Sequence, residues 1–131
     1  MIVINMKHGM NDAQRRNLAR LLAIPVQDID ERVLVPTFDL VGELVPQVLA
    51  LVDGLITTET LLEEIALIAP SVAEAALIVA VYVHGKLGYW PPILRMAQTQ
   101  GLPTPRWDVV EVVRLGLVGQ TVRVQRTGGG A

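Results

Sequence analysis

The stretch Ile65–His84, IALIAPSVAEAALIVAVYVH, decides the fold. It opens with five apolar residues, 65–69, whose length and composition are typical of a buried strand. A tight turn at Pro70 and Ser71 separates them from 72–84, where apolar residues occur almost all round a helix. The whole stretch is nearly long enough to cross a bilayer, but the turn interrupts it. It therefore predicts a buried strand followed by a buried helix.

Further strands and helices are predicted on both sides of this unit. Before it, the order along the chain is a strand at 1–6, a helix at 12–23, a strand at 32–38 and a helix at 44–55. After it come strands at 93–97 and 109–115. Such alternation predicts a three-layer, Rossmann-like α/β fold with a mostly parallel sheet. Pro36 favours either an edge position for the second strand or a place at the end of that strand, because proline cannot donate to a strand ladder.

Length and composition restrict the class of protein. With 131 residues the chain suits a single domain, expected at 1–126, followed by a disordered Gly-rich tail at 127–131. Hydrophobic residues make up 51% of the chain and charged residues only 18%. A helix that is apolar all round needs covering on both sides, so we expect a homodimer.

Charge and cysteine usage exclude several functions. A net charge of −2 lacks the broad positive field that polymeric nucleic acid requires, so no such partner is expected. The chain has no cysteine, and its first residues lack the basic start and long apolar run of a signal peptide. We expect a cytoplasmic protein without a membrane partner.

The first loop that could carry chemistry is Asn5-Met6-Lys7-His8-Gly9. It brings an amide, an ammonium and an imidazole to the carboxyl end of the first strand. Ligands collect at that edge in open α/β sheets. An ordinary solvated loop would have the same sequence, so both interpretations stand.

The second loop is Ala69-Pro70-Ser71. Ser71 is placed to cap the long helix, and the N–H groups beside it could hold a phosphate. A serine that only caps the helix is the alternative interpretation.

The segment 84–92, HGKLGYWPP, is the third. His84 and Lys86 end the helix, and Tyr89 could offer a stacking face to a base. Alternatively, the cations cap the helix while the aromatic residues pack at the end of the sheet. Arg95 is either a phosphate ligand or a surface cation.

Several familiar chemistries have no motif in this chain. His8 and His84 lie 76 positions apart with no ligand cluster near either, so no metal site and no cofactor is expected. The sequence also lacks a Gly-x-x-x-x-Gly-Lys phosphate loop, a Gly-x-Gly-x-x-Gly fingerprint and a Gly-x-Ser-x-Gly elbow.

The sequence resembles the small accessory proteins of type III CRISPR loci, the Csx group related to the CARF sensor domain and including candidate ring nucleases. The resemblance lies in Asn5 and His8 and in a spaced string of residues over most of 1–115: Pro70-Ser71, His84-Gly85, Gly88-Tyr89, Pro91-Pro92-Ile93 and Arg95. In that family a small hydroxyl residue precedes the histidine and a proline follows it, whereas this chain has Lys7 and Gly9.

The resemblance implies a dimeric CARF-like domain that binds a cyclic oligoadenylate, with cyclic tetra-adenylate as the expected ring, across a two-fold axis. It implies that the ligand is sequestered from toxic effectors or is cleaved by a metal-independent ring nuclease, with His8 and Ser71 as the catalytic candidates. The expected ligand-binding residues are Asn5, Lys7, His8, Gly9, Pro70, Ser71, His84, Lys86, Tyr89 and Arg95. A non-catalytic dimeric interaction protein is the remaining alternative.

Overall fold

The computed structural model describes residues 1–99, 101 and 103–128. Strands and helices alternate along most of the chain. The elements are β1 (Ile2–Asn5), α1 (Asp12–Leu22), β2 (Asp30–Val33), α2 (Leu44–Asp53), β3 (Ile65–Ile68), α3 (Ala73–Leu87), β4 (Ile93–Gln98), β5 (Trp107–Val113) and α4 (Leu115–Gly128), with single 3₁₀ turns at Val26–Asp28 and Thr60–Leu62.

The strands described form one sheet in the order β2-β1-β3-β4-β5. The first four are parallel and β5 is antiparallel to β4. The predicted Rossmann-like, mostly parallel α/β fold is therefore confirmed. The strand order changes direction beside β1, whose carboxyl end lies next to that of β3, and this is where open α/β sheets place their ligands.

The sheet is covered on both faces, which gives three layers. Every residue of β1 and β3 is buried, and successive side chains point to opposite faces. Ile2 and Ile4 pack with α2 and α3 on one face, whereas Val3 packs with α1 on the other. Each such burial stabilises the fold by about 1.5–3 kcal/mol.

The second strand is shorter than predicted. The pattern predicts a strand at 32–38, but β2 ends at Val33, and its last ladder contact is the N–H of Leu34 donating to the Asn5 carbonyl at 2.8 Å. Pro36 has no N–H with which to continue the ladder. Of the two positions that Pro36 left open, the structure shows the first, because β2 is an edge strand.

The C-terminal part of the chain differs most from expectation. The predicted strand at 109–115 instead ends at Val113, and α4 follows it. Glycines and β-branched valines give α4 a weak helix propensity, which hides it from a pattern search. The helix includes residues 127 and 128, where a disordered tail was predicted, and the Thr127 hydroxyl donates to the Arg123 carbonyl at 3.1 Å. Residues 129–131 lie outside the described residues.

The long apolar helix is α3. Its buried side chains pack on the sheet and on α2, while Leu77 and Val81 remain 69% and 58% exposed. Among the residues described, no helix has both the length and the apolarity needed to cross a membrane.

Candidate ligand-binding site

An open pocket of about 530 Å³ lies at the carboxyl edge of the sheet. Asn5 and Ile68, the last residues of β1 and β3, form its floor, and Lys7, His8 and Ser71 contribute polar groups to its wall. Gly9, Asn11, Gln14, Met96 and Trp107 complete the lining. Pockets of about 300–1,000 Å³ are typical of small-ligand sites.

A smaller pocket of about 110 Å³ adjoins the first. Lys7, His8 and Ser71 line both, and Pro70 lines the smaller one together with apolar residues. The structure therefore brings together six of the ten predicted ligand-binding residues: Asn5, Lys7, His8, Gly9, Pro70 and Ser71. They come from the two loops that the sequence singled out.

Asn5 fixes the shape of the first loop. Its side chain is buried, and its Nδ2 donates to the carbonyl of His8 and to Oε2 of Glu31, the latter at 2.9 Å. Its Oδ1 accepts from the N–H of Lys7 at 3.0 Å. Because both amide hydrogens are used within the protein, Asn5 orders the loop and leaves its neighbours to meet a ligand.

Glu31 on β2 is the second fixed point of that loop. Its carboxylate is 8% exposed, and Oε2 also accepts from the N–H of Met10 at 2.9 Å. Oε1 pairs with Arg15 of α1 at 3.0 Å, and the same guanidinium donates to the Ile29 carbonyl at 3.1 Å. This buried network joins both ends of the loop to the edge strand.

The two helix N-termini at this edge differ. α1 has a capping box, in which Asn11 accepts from the N–H of Gln14 at 2.8 Å and the Gln14 side chain accepts from the N–H of Asn11 at 2.9 Å. The N-cap of α3 is Val72, and no side chain caps it. The prediction that Ser71 caps α3 is therefore wrong. Ser71 lies one residue too early in the chain, and it is exposed at the pocket instead.

The other predicted ligand residues lie elsewhere. His84 and Lys86 are in the last turn of α3 and Tyr89 follows it, at the opposite edge of the sheet, about 20 Å from Ser71 by the rise of the helix. Arg95 is exposed on β4 and pairs with Glu111 at 2.9 Å, which agrees with its interpretation as a surface cation.

The groups at this opposite edge contact one another. The His84 imidazole stacks on the Trp90 indole, with centroids 4.0 Å apart and planes 2° apart. The Lys86 ammonium lies 5.6 Å from the centroid of the Tyr82 ring, whose hydroxyl donates to Asp53. Burial, followed by this hydrogen bond and the Asp53 charge, raises the pKa of Tyr82 from 10.0 to about 12.

Sequence reasoning missed Glu31, Arg15 and Gln14. The spacing Asn11-x-x-Gln14 is typical of a capping box, and it predicts that Gln14 lies in the first turn of α1. Nothing local marks Glu31, because it meets Asn5 only through the pairing of β2 with β1, in which Val3 and Glu31 are partners.

Comparisons with protein-family models, with curated proteins and with solved structures found no match to this chain.

Proposed function

We propose that this chain binds a cyclic oligoadenylate, with cyclic tetra-adenylate as the expected ring, and lowers its free concentration by sequestration in type III CRISPR antiviral signalling. The observation that carries the proposal is the pair of adjoining pockets at the carboxyl edge, where Lys7, His8 and Ser71 line both and Val72, the N-cap of α3, lines the smaller. An ammonium, a hydroxyl and helix N–H groups without a side-chain cap are the donors that phosphate oxygens accept from.

A site built from two identical subunits suits a ligand made of repeating units. A ring of identical nucleotides presents equivalent phosphates, and a two-fold dimer meets them with the same loop from each subunit. Each subunit then needs only one set of donors, so the overall charge of −2 does not oppose binding.

Sequestration is favoured over cleavage by the state of His8. The residue is exposed, and in the part of the chain that the structure describes its imidazole makes no hydrogen bond that would orient it as an acid or a base. General acid–base catalysis requires such positioning. Tight binding of the relaxed ring also opposes the in-line geometry that attack by a 2′-hydroxyl needs.

Calorimetric titration with cyclic tetra-adenylate tests the site. Lys7→Ala and Ser71→Ala should each weaken binding by about 10- to 100-fold, since a charge-assisted hydrogen bond contributes about 1.5–3 kcal/mol. Lys86→Ala is the matched control, because it removes a cation at the opposite edge and should leave the affinity unchanged. Equal affinity of all four proteins would place the site elsewhere, and absence of binding to the wild-type protein would refute the proposal.

A single-turnover experiment separates sequestration from cleavage. Excess protein is incubated with labelled ring, denatured and chromatographed, with and without EDTA. Recovery of the intact ring is expected. Conversion to linear product that survives EDTA and is lost in His8→Ala would show a metal-independent ring nuclease instead.

A further inference from the structure

The outer face of α2 and α3 carries an apolar groove of about 360 Å³. Val45 and Leu49 of α2 form one wall, and Leu77 and Val81 of α3 form the other. These four side chains are between 37% and 69% exposed. The two residues on each wall are four positions apart, so the groove spans about one turn of each helix.

Helix α4 has an apolar ridge, Val118 and Val122, and neither valine is among the described residues that pack against the two core clusters. Every residue from 117 to 127 is exposed. Leu117 and Gln120 lie toward Trp90 and Pro92 in a shallow pocket. Val118 and Val122, one turn apart on another side of the helix, are 54% and 57% exposed.

The chain exposes more surface than a compact monomer of its mass, and the apolar side chains of α4 and of the groove are among the exposed residues. The chain exposes 8185 Å², whereas a folded monomer of 14.3 kDa is expected to expose about 6,800 Å². The surplus of about 1,400 Å² exceeds the roughly 800 Å² that each partner buries in a standard interface.

The charges of helix and groove are complementary. α4 carries Arg123 and Arg126 and no acidic residue, and within the described residues neither arginine forms an ion pair. The lining of the groove is uncharged, and charges lie beside it: Asp53 accepts from the hydroxyl of Tyr82, a lining residue, and Lys86 lies 5.6 Å from the ring of Tyr82. Glu74 stands on α3 one turn before Leu77. Opposite charges at the rim favour a basic helix as the occupant.

We propose that α4 of one copy of this chain lies in the α2–α3 groove of a second copy, with Val118 and Val122 inserted between the two helices. A reciprocal exchange about a two-fold axis covers both grooves and both ridges. Recognition of this kind, in which an amphipathic helix lies in an apolar groove, needs anchors one turn apart, and α4 supplies them. The proposal does not depend on nucleotide binding.

Sedimentation of the protein without nucleotide gives the first test. Wild type should sediment at twice the mass of the chain at micromolar concentration, and Val122→Glu and Leu77→Glu should each sediment as a 14.3 kDa monomer with an unchanged far-UV circular dichroism spectrum. Val110→Glu, on an exposed valine of β5 outside both surfaces, is the matched control and should remain dimeric. A wild-type monomer, or a dimer that Val122→Glu leaves intact, would overturn the proposal.

Disulfide trapping tests the pairing itself, because the chain has no cysteine of its own. Mixed Val122→Cys and Val81→Cys proteins should oxidise to a covalent heterodimer, whereas each alone should give little product. Dominant homodimer from Val122→Cys alone would show that α4 meets α4, and no heterodimer in the mixture would place α4 outside the groove. Both results contradict the assignment.

Discussion

The two edges of the sheet use similar residue types in different ways. At the carboxyl edge, buried Asn5 and Glu31 fix the backbone of the first loop, and Lys7 and His8 are left to face the pocket. At the opposite edge, His84 lies against Trp90 and contributes no group to the carboxyl-edge pocket. The difference lies in the neighbours: the loop after β1 is held by other residues so that Lys7 and His8 face the pocket, whereas the ring of His84 is occupied by an aromatic partner.

The largest expected effect is the loss of the carboxyl-edge network. Glu31→Ala leaves the Arg15 guanidinium, the Asn5 amide and the Met10 N–H without their shared acceptor, and it should lower the free energy of unfolding by about 3 kcal/mol. Urea denaturation measures the change. Glu111→Ala breaks an ion pair whose side chains are 56% and 55% exposed, and it should cost less than about 1 kcal/mol. Equal costs would show that the buried network contributes no more to stability than an exposed ion pair.

A smaller effect is expected at the opposite edge. Trp90→Leu removes the stack on His84 and should lower the free energy of unfolding by about 1 kcal/mol. It should leave the affinity for cyclic tetra-adenylate unchanged. Trp107→Leu is the informative partner, since Trp107 is 59% exposed but lines the pocket, and it should weaken binding with little loss of stability. Weaker binding by Trp90→Leu would make the opposite edge part of the site.

The smallest expected effect concerns Tyr82. Its ionisation changes the free energy of unfolding only at alkaline pH and has no effect at neutral pH. Because the pKa of Tyr82 is raised from 10.0 to about 12, its contribution to the free energy of unfolding is complete below pH 10 and is lost as the pH rises through about 12. In a Tyr89→Phe background Tyr82 is the only tyrosine left, so tyrosinate absorbance should titrate near pH 12. Asp53→Asn should shift that midpoint downward. An unchanged midpoint would show that Asp53 does not contribute.

The sequence predicted the layers better than the ends of the elements. β1 and β3 are continuous apolar runs, and burial on both faces leaves such runs no alternative position. By contrast, α4 was missed because its residues do not favour a helix strongly, and nothing in the local pattern separates Val118 and Val122 from the end of a strand.

The candidate site was predicted in part. The loops after β1 and β3 could be chosen from sequence, because parallel strands bring their carboxyl ends to one edge. The segment after α3 was grouped with these loops only because its residue types could bind a nucleotide. In the structure the length of α3 separates it from the carboxyl edge.

The sequence alone determined the three-layer α/β fold, the burial of the strand that begins at Ile65, and the loop that carries Lys7 and His8. Each follows from local periodicity and from the parallel direction of neighbouring strands. The tertiary structure decided which polar residues work together. Glu31 reaches Asn5 and Arg15 only because β2 pairs with β1 and α1 covers that pair, and His84 meets Trp90 only because the chain turns back after α3. Such contacts depend on how the elements pack, and no local pattern encodes them.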